Sequence, residues 1–288
     1  MECQESEVVA VKIVTDSTSD LTPEIASELG ITVVPMYVHF GTESYRDGID
    51  LTPEEFYQKL ARTETLPVTA VPGPASFAQV YDRLAEETDE ILVIALSSTL
   101  SAIYEVELQA IKLMQRRCRV EVVDSLWGMM AQGLIAIAAA KAANAGANLD
   151  QVVGVTRENI GRTDLRIAFD TLQYLRRGGR IGMAQAFLGS MLKVNPILTL
   201  RNGKAHPVAR KRSRSKAIDY LYDFAMGYSH IEEMAIEDAT TTDEAEMLAE
   251  RLSAKFPKER IYRAKASPVV GTHVGPHVLA VSVLGDRR

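Results

Sequence analysis

The feature that most constrains this chain is a series of short apolar runs, each stopped by a cluster of hydroxyl and acidic residues and followed by a helical pattern. Val8 to Thr15 is a β-branched run ended by Asp16-Ser17-Thr18-Ser19-Asp20. Glu90 to Leu96 ends in Ser97-Ser98-Thr99-Leu100-Ser101, and Arg119 to Val123 ends in Asp124-Ser125. Runs this short, without polar alternation, read as strands buried on both faces. Ile31 to Phe40 reads as a further strand. The intervening segments carry helix signals. Thr22-Pro23-Glu24 supplies a cap, a first-turn proline and an acid, with Gly30 as the stop, and Thr52-Pro53-Glu54-Glu55 is a capping box opening a helix to about Arg62. Helices are also expected over Pro74 to Thr88, Ala102 to Arg116 and Gly128 to Ala143. Strands separated by helices in this way predict an α/β fold, a doubly wound parallel sheet with right-handed crossovers.

With 288 residues the chain has room for about two domains. The Asn144-Ala145-Gly146-Ala147-Asn148 stretch places the boundary near residue 150, giving an N-terminal α/β domain over 8–150 and a mixed α+β domain over 151–288. In the second half, strands are expected at Leu165 to Phe169, Glu233 to Glu237, Arg260 to Arg263 and His277 to Val283. A hairpin around Asn202-Gly203 should span Pro196 to Val208. Helical segments are expected through Leu175, at Gln185 to Met191, at Ser215 to Met226 and at Thr242 to Lys255. Lys and Arg number 32 against 38 Asp and Glu, a net charge of −6, so no overall positive field favours nucleic acid or an anionic membrane. Cys3 and Cys118 cannot form a metal cage by themselves, and they suit a reducing compartment; with no signal-peptide pattern at the start, the cytoplasm is expected. Neither of the two long uncharged stretches, Ser125 to Ala140 and Ala266 to Gly285, reads as a membrane span.

Ligands of doubly wound folds bind where the loops after the strands gather. Here those loops hold Asp16, Ser17, Ser97, Ser98, Ser101, Asp124 and Ser125, whose hydroxyls and nearby backbone N–H groups suit a carboxylate or phosphate, although serines in such places also simply cap helices. Thr69 lies in Thr69-Ala70-Val71-Pro72-Gly73-Pro74, which also reads as a proline-stiffened approach to a helix. His273 lies in a Gly/Pro loop, Gly271 to Pro276, where it is either structural or a partner for an acid. In Arg176-Arg177-Gly178-Gly179-Arg180, paired glycines permit a turn that would expose N–H groups beside three guanidiniums. From Arg201 to Lys216 there are seven Lys and Arg and no acid, Arg210, Lys211, Arg212 and Arg214 among them. No common nucleotide-binding, zincin or hydrolase motif is present.

Taken in order, Thr15 to Leu21, Tyr45-Arg46-Asp47-Gly48-Ile49-Asp50, Thr69 to Pro74, Ser97 to Tyr104, Val123-Asp124-Ser125, Leu175 to Ile181 and Gly271 to Pro276 resemble the DegV family of bacterial fatty-acid-binding proteins, almost end to end. The resemblance implies two domains enclosing one long-chain fatty acid in an apolar tunnel at their junction, with Thr69, Ser101 and His273 on its carboxylate and Ser97 and Ser98 shaping the loop. It also implies a carrier, not itself an enzyme and without a cofactor, that presents the acid to a separate ATP-dependent fatty acid kinase for acyl-phosphate formation. Arg176, Arg177, Arg180, Arg210, Lys211, Arg212 and Arg214 are then candidates for docking that kinase or its phosphates. Where the family commonly has Thr-Ser-Gln-Pro and Ser-Gly-Thr, this chain has Thr69-Ala70-Val71-Pro72 and Ser101-Ala102-Ile103, which places apolar side chains at the expected pocket mouth. The alternative reading is an acyl-ester hydrolase with Ser101 as nucleophile and His273 as base.

Overall fold

Four runs lie side by side in a parallel sheet, the two central ones buried on both faces and the two edge ones partly exposed. The computed structural model describes residues 11–188 and 194–287. Its first part runs β1 Lys12–Asp16, α1 Pro23–Leu29, β2 Ile31–Val34, β3 Tyr37–Phe40, β4 Glu43–Arg46, α2 Pro53–Leu60, β5 Val68–Ala70, α3 Pro74–Leu84, β6 Glu90–Ala95, α4 Ile103–Ile111, β7 Arg119–Asp124, α5 Met129–Asn144 and α6 Leu149–Arg162. The chain continues with β8 Thr163–Ala168, α7 Gln173–Arg177, β9 Asn195–Arg201, β10 Lys204–Lys211, α8 Arg214–Met226, β11 Tyr228–Asp238, α9 Thr242–Leu252, β12 Ile261–Lys265, α10 Pro268–Val274 and β13 Leu279–Arg287.

The parallel sheet has the order β2-β1-β6-β7, so the chain leaves β1 to one side and returns to its other side with β6. That reversal opens a crevice at the carboxyl ends of β1 and β6. The second sheet, β10-β9-β8-β13-β11-β12, is mixed: all its pairs are antiparallel except β11 with β12. A small antiparallel sheet, β4-β3-β5, completes the set. Between the two large sheets lies α5, buried on nearly every side and touching β1 and β6 on one flank and β8, β11 and β13 on the other. Its Met-Met-Ala-Gln-Gly-Leu-Ile-Ala-Ile-Ala sequence has no polar face because no face meets water.

Several expectations are corrected. Ile31 to Phe40 is two strands in different sheets, split at Pro35, which has no N–H to continue a ladder and bends the chain away after Val34. Most of the Gly271 to Pro276 segment is helix rather than loop, only Gly275 and Pro276 lying beyond its end: Ser267 caps α10 through the Val270 N–H, and Pro268 opens the helix. Val68–Ala70 is a strand, and α6 lies where no element was expected, although Asn148 and Gln151 form its capping box. Helices α3 and α4 stop before Thr88 and Arg116. Gly182–Phe187 is 3-10 helix, Leu188 is a turn, and residues 189–191 of the Gln185 to Met191 expectation lie outside the described residues, as do Cys3 and Val8 to Ala10. The hairpin is as expected, with Asn202 (φ 48°) and Gly203 (φ 77°) both left-handed in a two-residue turn.

One buried group opposes this packing. Glu107 of α4 is fully buried with neither carboxyl oxygen hydrogen-bonded, and the Tyr81 hydroxyl of α3 is likewise buried without a partner. Burial first, then the charges of Asp16 and Asp124, pushes the Glu107 carboxyl well above its ordinary 4.5. The folded chain therefore holds this proton while the unfolded chain releases it, so the group's contribution is complete below pH 4.5 and stability is lost as pH rises toward the folded value. Glu107→Met, apolar and of similar length, is expected to raise stability at pH 8 by about 1–3 kcal/mol and to flatten the loss above pH 4.5. Urea unfolding at both pH values checks this; an unchanged or lower midpoint at pH 8 contradicts it.

Candidate functional site

The crevice is framed by carboxylates that organise backbone. Asp16 accepts from the Leu96 N–H (3.0 Å) and from Gln132 Nε2 (2.9 Å) with one oxygen, and from the Thr18 N–H (2.9 Å) with the other. Asp124 accepts from the N–H groups of Ser98 (3.2 Å) and Leu126 (2.9 Å), and Ser125 Oγ accepts from the Trp127 N–H (3.1 Å). Ser17 Oγ donates to Asp47 (2.6 Å) and accepts from the Met36 N–H (3.1 Å). The Ser97 and Thr99 hydroxyls donate to the Gly203 carbonyl (3.1 and 2.6 Å), latching the tip of the β9–β10 hairpin onto the first-half sheet. A Cβ at position 203 would sit 2.2 Å from Ser97 Oγ, so glycine is required there. Asp16, Ser17, Ser97, Ser98, Asp124 and Ser125 thus hold the loops in place, and of them none lines the cavity those loops enclose.

That cavity, about 780 Å³ counting its mouth, lies between the two large sheets. Its walls are apolar: Leu165 and Ile167 of β8, Leu198 and Leu200 of β9, Val270 of α10 and Met129 at the start of α5. Thr69, Ser101 and His273, three segments far apart in the chain, all line it. Thr69 Oγ1 and His273 Nε2 are 3.1 Å apart, brought together because β5 pairs with β3 while α10 packs beside both. Ser101 Oγ accepts from the Ile103 N–H (3.3 Å) and keeps its own hydrogen available. His273 Nδ1 is buried without a partner, and a Cβ at Gly178 would lie 2.3 Å from it. Burial, and then the Arg180 cation, depresses the imidazole from 6.5 to about 4, so the ring is neutral near pH 7.

Arg180 corrects the docking expectation. Its guanidinium turns into the cavity wall, with Nε donating to the Leu100 carbonyl (3.0 Å) and Nη1 to the Gly178 carbonyl (2.7 Å). Sequence reasoning missed this cavity role because the turn that aims Arg180 is set by Gly179 in the left-handed region (φ 72°) and by a partner 80 residues away. The turn does not expose N–H groups to an anion either: those of Gly178, Gly179 and Arg180 donate to Tyr174, Arg176 and Leu175. Arg214 is also no free docking group, since it donates to Glu244 (2.6 Å) and to the His277 carbonyl (3.1 Å). Arg176, Arg177 and Arg212 are exposed, Arg210 stacks on Phe187 (4.2 Å) and Lys211 lies over Tyr220 (4.5 Å).

This geometry is not that of a nucleophile and its base. His273 faces Thr69 rather than Ser101, and no acid orients its other nitrogen, whereas a serine relay needs both contacts. The arrangement offers instead the Ser101 hydroxyl, one hydrogen from the Thr69 and His273 pair, and the Arg180 cation at the end of an apolar cavity. Among the described residues no group of three or more His, Cys, Asp or Glu is arranged to hold a metal ion. Arg180→Gln removes the nearby positive charge and is expected to raise the His273 pKa above about 4 while burial keeps it below 6.5. An NMR titration of the ring measures this, and an unchanged or lower value contradicts the assigned electrostatics.

The fold has close counterparts. The DegV family model matches residues 10–286. A DegV domain-containing protein of Caldanaerobacter subterraneus is 34% identical over 278 residues, covering 94% of this chain and 97% of that one. The solved structure of a DegV family protein from Thermus thermophilus, described as fatty acid binding, superposes with a TM-score of 0.88 at 31% identity, covering 96% of this chain and 99% of that one. DegV of Bacillus subtilis, described as a fatty acid binding protein, superposes at 0.86 with 30% identity over 96% and 99%. The parallel-sheet and mixed-sheet architecture, the ordered motifs and these matches over nearly the whole chain agree, and the chain belongs to the DegV family.

Proposed function

We propose that this protein is a fatty acid carrier: it encloses one long-chain fatty acid, holding the carboxylate with Thr69, Ser101 and His273 and the tail between the two sheets. The observation that carries this is a single cavity with apolar walls and one polar end where Thr69 and His273 meet at 3.1 Å, with Arg180 adjoining. An ionised carboxylate can be removed from water only against several donors or a cation, and this end supplies both. Each buried CH₂ contributes about 0.8 kcal/mol, so the head group orients the ligand and the tail supplies most of the affinity. The Thermus and Bacillus relatives, described as fatty acid binding, support the same ligand class here.

On this reading the protein has no chemical step of its own and, in the cytoplasm, presents the carboxylate to a separate ATP-dependent kinase that forms the acyl-phosphate. Two domains, 8–150 and 151–288, meet around the ligand. Arg176, Arg177, Arg210, Lys211 and Arg212 are the docking candidates, whereas Arg180 belongs to the ligand and Arg214 to the frame. Among the described residues no helix is long and apolar enough to cross a membrane.

Mass spectrometry of an organic extract from the purified protein tests the carrier directly. The expected result is one fatty acid per chain in the wild type, lost in Thr69→Ala/Ser101→Ala/His273→Ala and in Leu198→Trp, which fills the tail space. Arg176→Glu/Arg177→Glu should keep the acid and lose acyl-phosphate formation by the cognate kinase. An empty wild type that also takes up neither palmitic nor stearic acid overturns the proposal.

A further inference from the structure

Thr69 and His273 belong to different structural layers, so their 3.1 Å separation is not fixed by either element alone. Thr69 rides on β5, whose position follows β3 through the Val38 and Thr69 register. His273 rides on α10. Both layers meet at Asp47, a residue of the Tyr45 to Asp50 segment that is only 3% exposed and lines no part of the ligand cavity.

Asp47 holds the β3 side twice. Its own N–H donates to the Met36 carbonyl (2.9 Å), and its Oδ2 accepts from Ser17 Oγ (2.6 Å), which in turn accepts from the Met36 N–H (3.1 Å). Met36 is the residue immediately before β3. On the other side, Asp47 Oδ1 accepts from the Val269 N–H (3.4 Å) in the first turn of α10. Val269 is four residues, one helical turn, before His273 and shares its face. Asp20 adds a neighbouring bond from the Ser267 N–H (3.1 Å), and Tyr57 donates to the Ala266 carbonyl (3.0 Å), while the Ala266 N–H donates to the Asp238 carbonyl of β11 (2.9 Å), so the start of α10 is held from both halves and mostly from the first. Packing around the helix is close at two points: a Cβ at Gly271 would lie 2.6 Å from Phe56 and Tyr57, and a Cβ at Gly178 would lie 2.3 Å from His273 Nδ1.

We infer that Asp47 is a positioning residue for the carboxylate site: it sets the spacing of Thr69 and His273 by tying β3 to the first turn of α10. This rests on the fatty acid reading, because the spacing matters only if the pair holds a head group. Removing the tie should therefore harm recognition of the head and spare that of the tail. Burial pushes the Asp47 carboxyl up to about 7, so near neutrality its work does not require full ionisation. Asparagine, which keeps a carbonyl acceptor for the Val269 N–H, should replace it.

The test compares palmitic acid with hexadecanol, which has the same tail length and an uncharged head, by calorimetric titration of the full chain after its co-purified lipid has been stripped. Asp47→Ala is expected to weaken palmitic acid about tenfold or more, the loss of one hydrogen bond to a charged or buried group, while hexadecanol changes by less than about threefold. Asp47→Asn is expected to stay within about threefold of wild type for both ligands. Should Asp47→Ala fail to fold by near-ultraviolet circular dichroism, Ser17→Ala removes the side-chain half of the hold on Met36, leaving the Asp47 N–H bond to the Met36 carbonyl, and should show a head-selective loss of the same sign and smaller size. Equal losses for acid and alcohol would make Asp47 merely structural and overturn the inference, as would no loss at all. A wild type that binds neither ligand would instead strike the fatty acid reading itself, and the positioning role would fall with it.

Discussion

The central polar architecture depends on Asp16, a buried carboxylate at the parting of two parallel strands. β1 and β6 are neighbours whose chains leave in different directions, and a crevice between such strands would expose unpaired backbone N–H groups. Asp16 takes up the Leu96 and Thr18 N–H groups, one from each side, and Gln132 of α5 completes it from above. Satisfying those donors within the protein keeps the loops rigid and leaves the hydroxyls farther along, at Thr69 and Ser101, free to face the cavity. The frame and the cavity-facing groups are therefore different residues, and only Ser101 of the latter comes from the same hydroxyl-rich loops, Thr69 lying on β5 and His273 on α10.

The cavity has the energetics of an amphipathic guest. Leu165, Ile167, Leu198 and Leu200 come from one face of the second sheet, and that face needs cover from something apolar. Over most of its extent α5 provides it; over the rest, the space is open and closed off by the hairpin tip that Ser97 and Thr99 hold at Gly203. On the proposed function, a hydrocarbon tail there would complete the core in the way a side chain does. His273 is depressed to about 4 by burial and then by Arg180, so this end of the cavity carries a cation and a neutral ring, a net positive charge.

The parallel strands and their loops were legible in the sequence because doubly buried strands leave an unmistakable apolar run, and the capping signals at Thr22 and Thr52 are local chemistry. The four-residue reach of such signals is also their limit. Ile31 to Phe40 reads as one strand because hydropathy does not say which sheet a strand joins, although Pro35 marks the break. α10 reads as a loop because it holds Gly271, and that glycine answers to Phe56 and Tyr57, far away in sequence, rather than to helix propensity. Arg180 was indistinguishable from its exposed neighbours Arg176 and Arg177, since only its long-range contact with Leu100 turns it inward. The identities of Thr69, Ser101 and His273 as a group came from family resemblance, and no periodicity in this chain would have joined them.

The most direct test of the account is the ionisation of the bound head group, followed by ¹³C NMR of carboxyl-labelled palmitic acid on the protein as pH is lowered. Donors from Thr69, Ser101 and His273 together with the Arg180 cation favour the charged form, so the bound carboxyl should remain ionised well below the pH at which the same acid titrates in vesicles, and Arg180→Gln should raise that pH. A bound carboxyl that titrates as it does in vesicles, and is indifferent to Arg180, would contradict an enclosed head group at this end of the cavity.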